Sequence, residues 1–197
     1  MMGDLRFIED PHSYLHDGKP MAGLTSALAA EGYIKNGFYT DEGKDRGTAV
    51  ALGCEYYNRG GSDWRRLPAD YLPYVHAWEE YCEVHLFNPS HIEQPVHSHI
   101  HQFATKPDAI GPDKDNECVV VEVKTGASEP WHPLQTAAQA LAYAEEHNIP
   151  LHTIRRRAVI LMPTGKHRPV PHDDRRDYEI VRAMFLLHHD KHNRRGG

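Results

Sequence analysis

Cysteine is scarce in this sequence, and long apolar runs are missing. The three cysteines, Cys54, Cys82 and Cys118, lie far apart without a CxxC pair, so they provide neither a disulfide framework nor, by themselves, a zinc or iron–sulfur site. No run of about 18 apolar residues could cross a membrane, and the N-terminus is acidic where a signal peptide needs a basic head. A phosphate-binding P-loop motif is missing too. We therefore expect a cytoplasmic protein without a helicase motor of its own.

The chain has enough length for one core, and its charge is distributed unevenly. Its 197 residues fit a single domain, since domains commonly have about 100–200 residues. Residues 1–150 carry 11 basic and 23 acidic side chains, whereas residues 151–197 carry 11 and 5. A basic surface beside an acidic body is typical of proteins that hold a polyanion. A solvated face with a disordered tail would have the same composition.

Periodicity and turn residues predict an α/β fold, a mixed sheet flanked by helices. A hairpin is expected at 5–18, and helices at 25–30, 40–57, 68–87, 133–147 and 177–192. Three strands forming a meander are expected at 92–98, 103–111 and 117–126, with a further strand at 156–163. The aromatic residues of the 68–87 segment recur at helical spacing, which favours a role in the core.

The residues with the clearest chemical signature lie in the meander. Glu122 and Lys124 are two apart in an extended segment, so they project from the same face of their strand. Antiparallel pairing across the GPDKDN turn would bring Asp108 beside Glu122. Two adjacent carboxylates repel unless a cation lies between them, and oxygen ligands suit Mg²⁺ or Mn²⁺. A surface ion pair is the alternative, but the apolar residues 119–121 indicate a buried position.

Four segments in order, RGTAVALGCE, KPDAIG, VVVEVKTG and HPLQTAAQALAY, resemble the PD-(D/E)XK nuclease superfamily, specifically the RecB-like exonucleases of phages and recombination systems. The resemblance covers most of the chain and implies the restriction-endonuclease-like core of that superfamily. It implies a single nuclease domain over 1–197, with an N-terminal hairpin and helices in 1–91, the catalytic core in 92–190 and a basic tail in 191–197.

The resemblance also implies roles for individual residues. It places catalytic groups at Asp108, Glu122, Lys124 and Gln135. It places the ligands of one or two Mg²⁺ or Mn²⁺ ions at the carboxylates of Glu55, Asp108 and Glu122 and at the backbone carbonyl of Val123. One position departs from the family: Ala51 stands where many RecB-like members have a histidine ligand, which weakens the expectation of a preference for manganese.

The expected function is metal-dependent hydrolysis of DNA by an exonuclease, in phage recombination or end processing in the host cytoplasm. The expected partners are DNA with a free end and, by family analogy, a single-strand annealing protein. The candidate DNA-binding residues come from the basic quarter and are Arg155, Arg156, Arg157, Lys166 and Arg168. The main alternative is a non-catalytic nucleic-acid-binding module that keeps the fold, which the missing histidine favours. A site-specific endonuclease would need base-reading elements for which the chain has little room.

The alternating residues His97, His99 and His101 could share one strand face as a separate metal site. The stretch is expected to turn between two strands, and histidine is abundant throughout this sequence. We therefore expect surface histidines here.

Overall fold

The computed structural model describes residues 4–9, 13–35 and 40–195. Five helices are present in these ranges: α1 (Leu24–Ala30), α2 (Asp41–Asn58), α3 (Leu72–His85), α4 (His132–His147) and α5 (Arg176–Arg195). Ten strands accompany them: β1 (Leu5–Ile8), β2 (Ser13–His16), β3 (Lys19–Gly23), β4 (His91–Ile92), β5 (Val96–Ser98), β6 (Phe103–Thr105), β7 (Ala109–Pro112), β8 (Cys118–Lys124), β9 (Ile154–Leu161) and β10 (His167–Pro171). The predicted α/β class is confirmed. None of the described helices is long and apolar enough to span a membrane.

The strands form two mixed sheets, where the sequence predicted one. The first sheet has the order β1-β2-β3-β6-β5, and the second has the order β10-β9-β8-β7-β4. Two of the three predicted meander strands are therefore divided between the sheets, at 93–95 and at 106–108. Pro95 and Pro107 lie in these breaks, where a residue without a backbone N–H cannot continue a ladder. Both connections cross from one sheet to the other.

The antiparallel pairing of β7 with β8 is confirmed. Ala109 is opposite Val121, and Ile110 is opposite Val120. The strand β8 continues in parallel with β9, where Lys124 is opposite Ile160. In turn, Ile160 is opposite Arg168 of β10. Directly opposed residues project from the same face of a sheet, so Lys124 and Arg168 share a face two strands apart.

Helix α4 lies between the two sheets, which explains its alanine-rich sequence. Leu134, Ala138 and Leu141 pack against the first sheet and helices α1 and α5. Ala140 and Ala144 pack against the second sheet. Because small side chains let a helix approach its neighbours from several directions, most of α4 is buried.

Helices α2 and α3 cover the opposite face of the second sheet. Trp78 and Tyr81 of α3 are fully buried there beside Val121 of β8, so these residues of the predicted aromatic stripe belong to the core. The two helices approach closely at Gly53, where an added Cβ would lie 2.7 Å from a methyl group of Val75. Thr40 caps α2, because its hydroxyl accepts a hydrogen bond from the Gly43 N–H at 3.1 Å.

Candidate active site

A cleft of about 810 Å³ opens where the two sheets meet. Its walls come from the start of α1, the first half of α2, the two crossing connections, the end of β8 and the start of α4. Of the residues predicted for the site, the cleft is lined by Asp108, Glu122, Val123, Lys124 and Gln135. The structure therefore brings together five of the six site positions that the sequence motifs pointed to.

The two strand carboxylates converge as the predicted register requires. Asp108 immediately precedes β7 and lies next to β8, where its Oδ2 accepts a hydrogen bond from the Val123 N–H at 2.7 Å. Glu122 has only 2% of its surface exposed. Its Oε2 accepts a hydrogen bond from Lys124 Nζ at 2.8 Å, and its Oε1 accepts one from the side-chain amide of Gln139. The carboxylate of Glu122 is thus held from two sides.

Lys124 extends along the cleft wall. Its ammonium group bonds Glu122 and lies 5.5 Å from the centre of the Trp131 ring, a cation–π arrangement. Gln135 lies one turn into α4, and its buried Oε1 has no hydrogen-bond partner among the described residues. That oxygen is an acceptor at the cleft wall that a ligand could use.

A third carboxylate, Glu93, was not predicted. It lies in the connection between β4 and β5 with 13% of its side chain exposed, and it forms an ion pair with Lys106 at 2.7 Å. Lys106 lies in the other crossing connection, and both side chains line the cleft. The sequence signal that could have located them is the pair of prolines, Pro95 and Pro107, that mark the crossings.

Three carboxylates and two ammonium groups meet in this part of the cleft. Among these described side chains, the carboxylates of Asp108, Glu122 and Glu93 face the ammonium groups of Lys106 and Lys124. Burial, with a further contribution from the Glu122 charge, raises the pKa of Asp108 well above its usual range, against the opposing effect of Lys124. Burial also raises the pKa of Glu93, although Lys106 opposes the shift. An added cation would lower the free-energy cost of ionising Asp108 and Glu93.

The donor chemistry fits a hard divalent cation, because Asp108, Glu122 and Glu93 present carboxylate oxygens at the cleft. Within the described ranges, however, no three His, Cys, Asp or Glu side chains are already grouped as metal ligands. At the cleft, lysines and an amide hold the carboxylates of Glu122 and Glu93. In the segment that holds His97, His99 and His101, the predicted turn is confirmed between β5 and β6. His97 is buried against Glu146, however, contrary to the surface position expected for it.

Glu55 lies on α2, and its charge contributes to the raised pKa of the cleft residue Glu93. Glu55 itself is not one of the described residues that line the cleft. Its carboxylate, 24% exposed, pairs with Arg59 at 2.9 Å on the same helix. Arg59 also donates to the Ile92 carbonyl at 3.2 Å. Ala51, one turn earlier on α2, does line the cleft.

His132 lines the cleft next to the lysine and is electrically neutral at neutral pH. Burial, with contributions from Lys124 and His172, lowers the pKa of His132 to about 3. Its Nδ1 accepts a hydrogen bond from the Glu129 N–H at 3.1 Å. The ring therefore keeps its proton on Nε2, where it can donate.

The five basic residues predicted to bind DNA divide into three groups. Arg156 is 4% exposed and pairs with Asp177 at 2.9 Å, and it also donates to the Pro133 and Asp174 carbonyls. Its guanidinium is thus enclosed by protein, which corrects the expectation that it contacts DNA. Arg155 and Arg157 project from the opposite face of β9 and pair with Glu117 and Asp113.

Lys166 and Arg168 form the third group, and both are exposed. Arg168 lies on the same face of the sheet as Lys124 and at the same level, two strands away. At ordinary strand spacing, this separation is roughly 10 Å. Two further basic residues, Lys44 and Arg46 of α2, line the cleft itself. Charge counting along the sequence did not single these out.

No family model matches the sequence, and no curated protein matches it. Among solved structures, the chain is similar to the crystal structure of SSO0001, with 16% sequence identity, 83% of each chain covered and a TM-score of 0.36. A similarity of this size carries no information about the function of this chain.

Proposed function

We propose that this protein is a Mg²⁺- or Mn²⁺-dependent deoxyribonuclease with a PD-(D/E)XK core, acting as an exonuclease on DNA ends. The observation that carries the proposal is the convergence of Asp108, Glu122 and Lys124 at the cleft. The Asp108 carboxylate accepts a hydrogen bond from the N–H of Val123, the residue between Glu122 and Lys124. These residues are the acid, acid and lysine of the sequence motifs, brought together by the β7–β8 register. The nuclease domain is proposed to span 1–197.

Asp108, Glu122 and the Val123 carbonyl would hold the divalent cation. A bound cation of this kind polarises a phosphoryl oxygen and lowers the pKa of a water molecule. Glu55 is proposed as an outer contributor, since its carboxylate pairs with Arg59 outside the cleft lining. Burial raises the pKa of both Asp108 and Glu93, and a bound cation at this position would stabilise their charged forms.

Lys124 and Gln135 would act on the reacting groups directly. Hydrolysis joins a water oxygen to phosphorus, breaks one phosphorus–oxygen bond of the backbone and moves the water proton to solvent or to the departing oxygen. The Lys124 ammonium, with 19% of its side chain exposed, can orient the water or neutralise the charge that develops on phosphate oxygens. The Oε1 of Gln135, which has no hydrogen-bond partner among the described residues, can accept a hydrogen bond from that water.

DNA is proposed to run from the cleft along the face that Lys124 shares with Arg168. Lys44 and Arg46 line one end of this path, and Lys166 and Arg168 extend the other. Phosphate contacts by such side chains supply most of the affinity of non-specific DNA binding. By the same family resemblance, we propose a role in phage recombination or end processing in the host cytoplasm, with a single-strand annealing protein as partner.

A non-catalytic DNA-binding module is the second candidate, and three observations favour it. Both oxygens of Glu122 already have hydrogen-bond donors, from Lys124 and Gln139. In addition, Ala51 supplies no ligand, and Glu55 pairs with Arg59. Such a module would bind DNA with the salt dependence of a basic surface and would leave it intact.

A substrate panel separates the two candidates. End-labelled linear single-stranded and double-stranded DNA and closed circular DNA would be incubated with Mg²⁺, with Mn²⁺ and with a chelator. The proposal expects shortening of linear DNA that requires the metal, with circular DNA left intact. Binding of linear DNA without cleavage under either metal would contradict it and support the second candidate, whereas cutting of circular DNA would contradict the exonuclease assignment.

A further inference from the structure

His132 is a polar side chain at the cleft wall that the protein surrounds almost completely. It is the first residue of α4, lines the cleft and has only 3% of its surface exposed. The Trp131 ring packs against the imidazole in a T-shaped arrangement, with the ring centroids 4.5 Å apart. Because close packing restricts a buried side chain, the imidazole is oriented before a substrate binds.

The hydrogen bonds of the imidazole leave one of its nitrogens for a ligand. Its Nδ1 accepts a hydrogen bond from the Glu129 N–H at 3.1 Å, so the proton of the neutral ring is on Nε2. Within the ranges that the structure describes, this Nε2 has no hydrogen-bond acceptor. The N–H at Nε2 can therefore donate to an acceptor that enters the cleft.

The surroundings disfavour a positive charge on the imidazole. Burial, together with the charges of Lys124 and His172, lowers the pKa of His132 to about 3. The positive end of the α4 dipole acts in the same direction. At neutral pH the ring is therefore a hydrogen-bond donor that adds no second positive charge beside Lys124. Neutral imidazoles in such positions stabilise negative charge on substrate oxygens in other enzymes.

Gln135 complements His132 on the same wall of the cleft. The two residues are three apart on α4, so their side chains lie on the same side of the helix, and both line the cleft. Gln135 presents an acceptor, its Oε1, whereas His132 presents a donor. The oxygens of a DNA phosphate accept hydrogen bonds from protein donors, and a water molecule can donate one. The wall thus has a donor for the phosphate and an acceptor for the water.

We infer that His132 is a further catalytic residue, whose neutral Nε2–H donates a hydrogen bond to an oxygen of the scissile phosphate and stabilises the charge that develops there. The inference rests on the proposed function and deepens it. The imidazole transfers no proton and keeps the same protonation state throughout. Lys124 supplies positive charge to the reacting group, and His132 supplies a directed donor that is in place beforehand.

Two amide substitutions test the role of Nε2. The amide of His132→Gln reaches roughly as far as Nε2, whereas that of His132→Asn ends near Nδ1. Single-turnover cleavage of saturating end-labelled linear DNA with Mg²⁺ would be compared with wild type. Removing one oriented donor commonly costs about 100- to 1000-fold in rate, so we expect this loss in His132→Asn and a loss of at most about tenfold in His132→Gln. His152 is exposed, and His152→Gln should cleave at the wild-type rate.

A measurement on the wild-type protein covers the case in which a variant does not fold. In NMR spectra of ¹⁵N-histidine-labelled protein with Ca²⁺, the resonance missing from His132→Asn or His132→Gln identifies His132. We expect its Nε2–H resonance to shift when linear DNA is added, while the ring stays neutral. An unchanged resonance, a wild-type rate in His132→Asn, or equal losses in the two folded variants would overturn the inference alone. A wild-type protein that cleaves no linear DNA would overturn the proposed function and the inference together.

Discussion

Arg156→Met is expected to destabilise the fold strongly, because Arg156 is enclosed in the core. The substitution removes a cation that pairs with Asp177 at 2.9 Å and donates to the carbonyls of Pro133 and Asp174 at 2.8 and 2.9 Å. It also removes a cation–π contact with Tyr178 at 4.6 Å. The side chain of Asp177 is only 11% exposed, so its carboxylate would be left buried without this partner.

The magnitude follows from the burial of the pair. Breaking a buried ion pair by removing one partner costs about 3–5 kcal/mol. For a chain of this size, each kcal/mol corresponds to roughly 2–4 °C in the melting temperature. Thermal unfolding should therefore show a decrease of roughly 6–20 °C, and urea unfolding should show the same loss of free energy.

Arg155→Met is the matched control, since the preceding residue on the same strand pairs at the surface. Arg155 makes two hydrogen bonds to Glu117 with both side chains exposed, and such pairs contribute about 0–1 kcal/mol. Equal, small losses for the two variants would refute the structural role of Arg156. So would a folded Arg156→Met protein whose DNA affinity falls with a shallower salt dependence, because that result would make Arg156 a phosphate contact.

Three further predictions concern the cleft and the DNA path. Because burial and Glu122 raise the folded-state pKa of Asp108, its ionisation lowers stability at neutral pH. Asp108→Asn should therefore raise the free energy of unfolding of the cation-free protein, measured with urea at pH 7. The gain should disappear as the pH falls toward about 4, and no gain at pH 7 would contradict this prediction. Arg168→Glu should weaken DNA binding. It should also reduce the slope of the logarithm of the binding constant against the logarithm of the salt concentration by about 0.7–0.9 per lost phosphate contact. Arg155→Glu on the other face of the sheet should have neither effect, and equal effects of the two variants would place the DNA path elsewhere. Ala51→His should raise the ratio of Mn²⁺-supported to Mg²⁺-supported cleavage, because Ala51 lines the cleft and imidazole favours later transition metals; an unchanged ratio in a folded variant would mean that residue 51 does not reach the metal.

The centre of the site could be predicted from the sequence because it depends on local geometry. The alternation of side chains along a strand fixes the common face of Glu122 and Lys124. The short turn between β7 and β8 then leaves little freedom in register, so Asp108 comes beside Glu122. Both steps involve residues that are near one another in the chain.

Contacts between distant segments could not be predicted in this way. Glu93 and Lys106 meet because two connections cross between sheets at Pro95 and Pro107, and this division of the strands has no periodic signal. Gln139 reaches Glu122 only because α4 lies between the two sheets.

The charge of the last quarter was similarly uninformative about individual arginines. Composition counts Arg155, Arg156 and Arg157 alike, but the structure pairs them with Glu117, Asp177 and Asp113. Their acidic partners lie between 21 and 44 residues away in the chain. A sequence count of charge therefore overstates the basic surface that is available to DNA.

The most direct measurement of the central claim is the single-turnover rate of DNA cleavage by Lys124→Ala. Lys124 contacts Glu122 in the cleft, whereas Lys114 is exposed in the turn between β7 and β8, so Lys114→Ala is the matched control. With saturating end-labelled linear DNA and Mg²⁺ or Mn²⁺, we expect cleavage by Lys124→Ala to fall at least about 100-fold while DNA affinity changes little. Lys114→Ala should cleave at the wild-type rate. Wild-type cleavage by a folded Lys124→Ala protein would contradict the claim that this cleft is a nuclease active site.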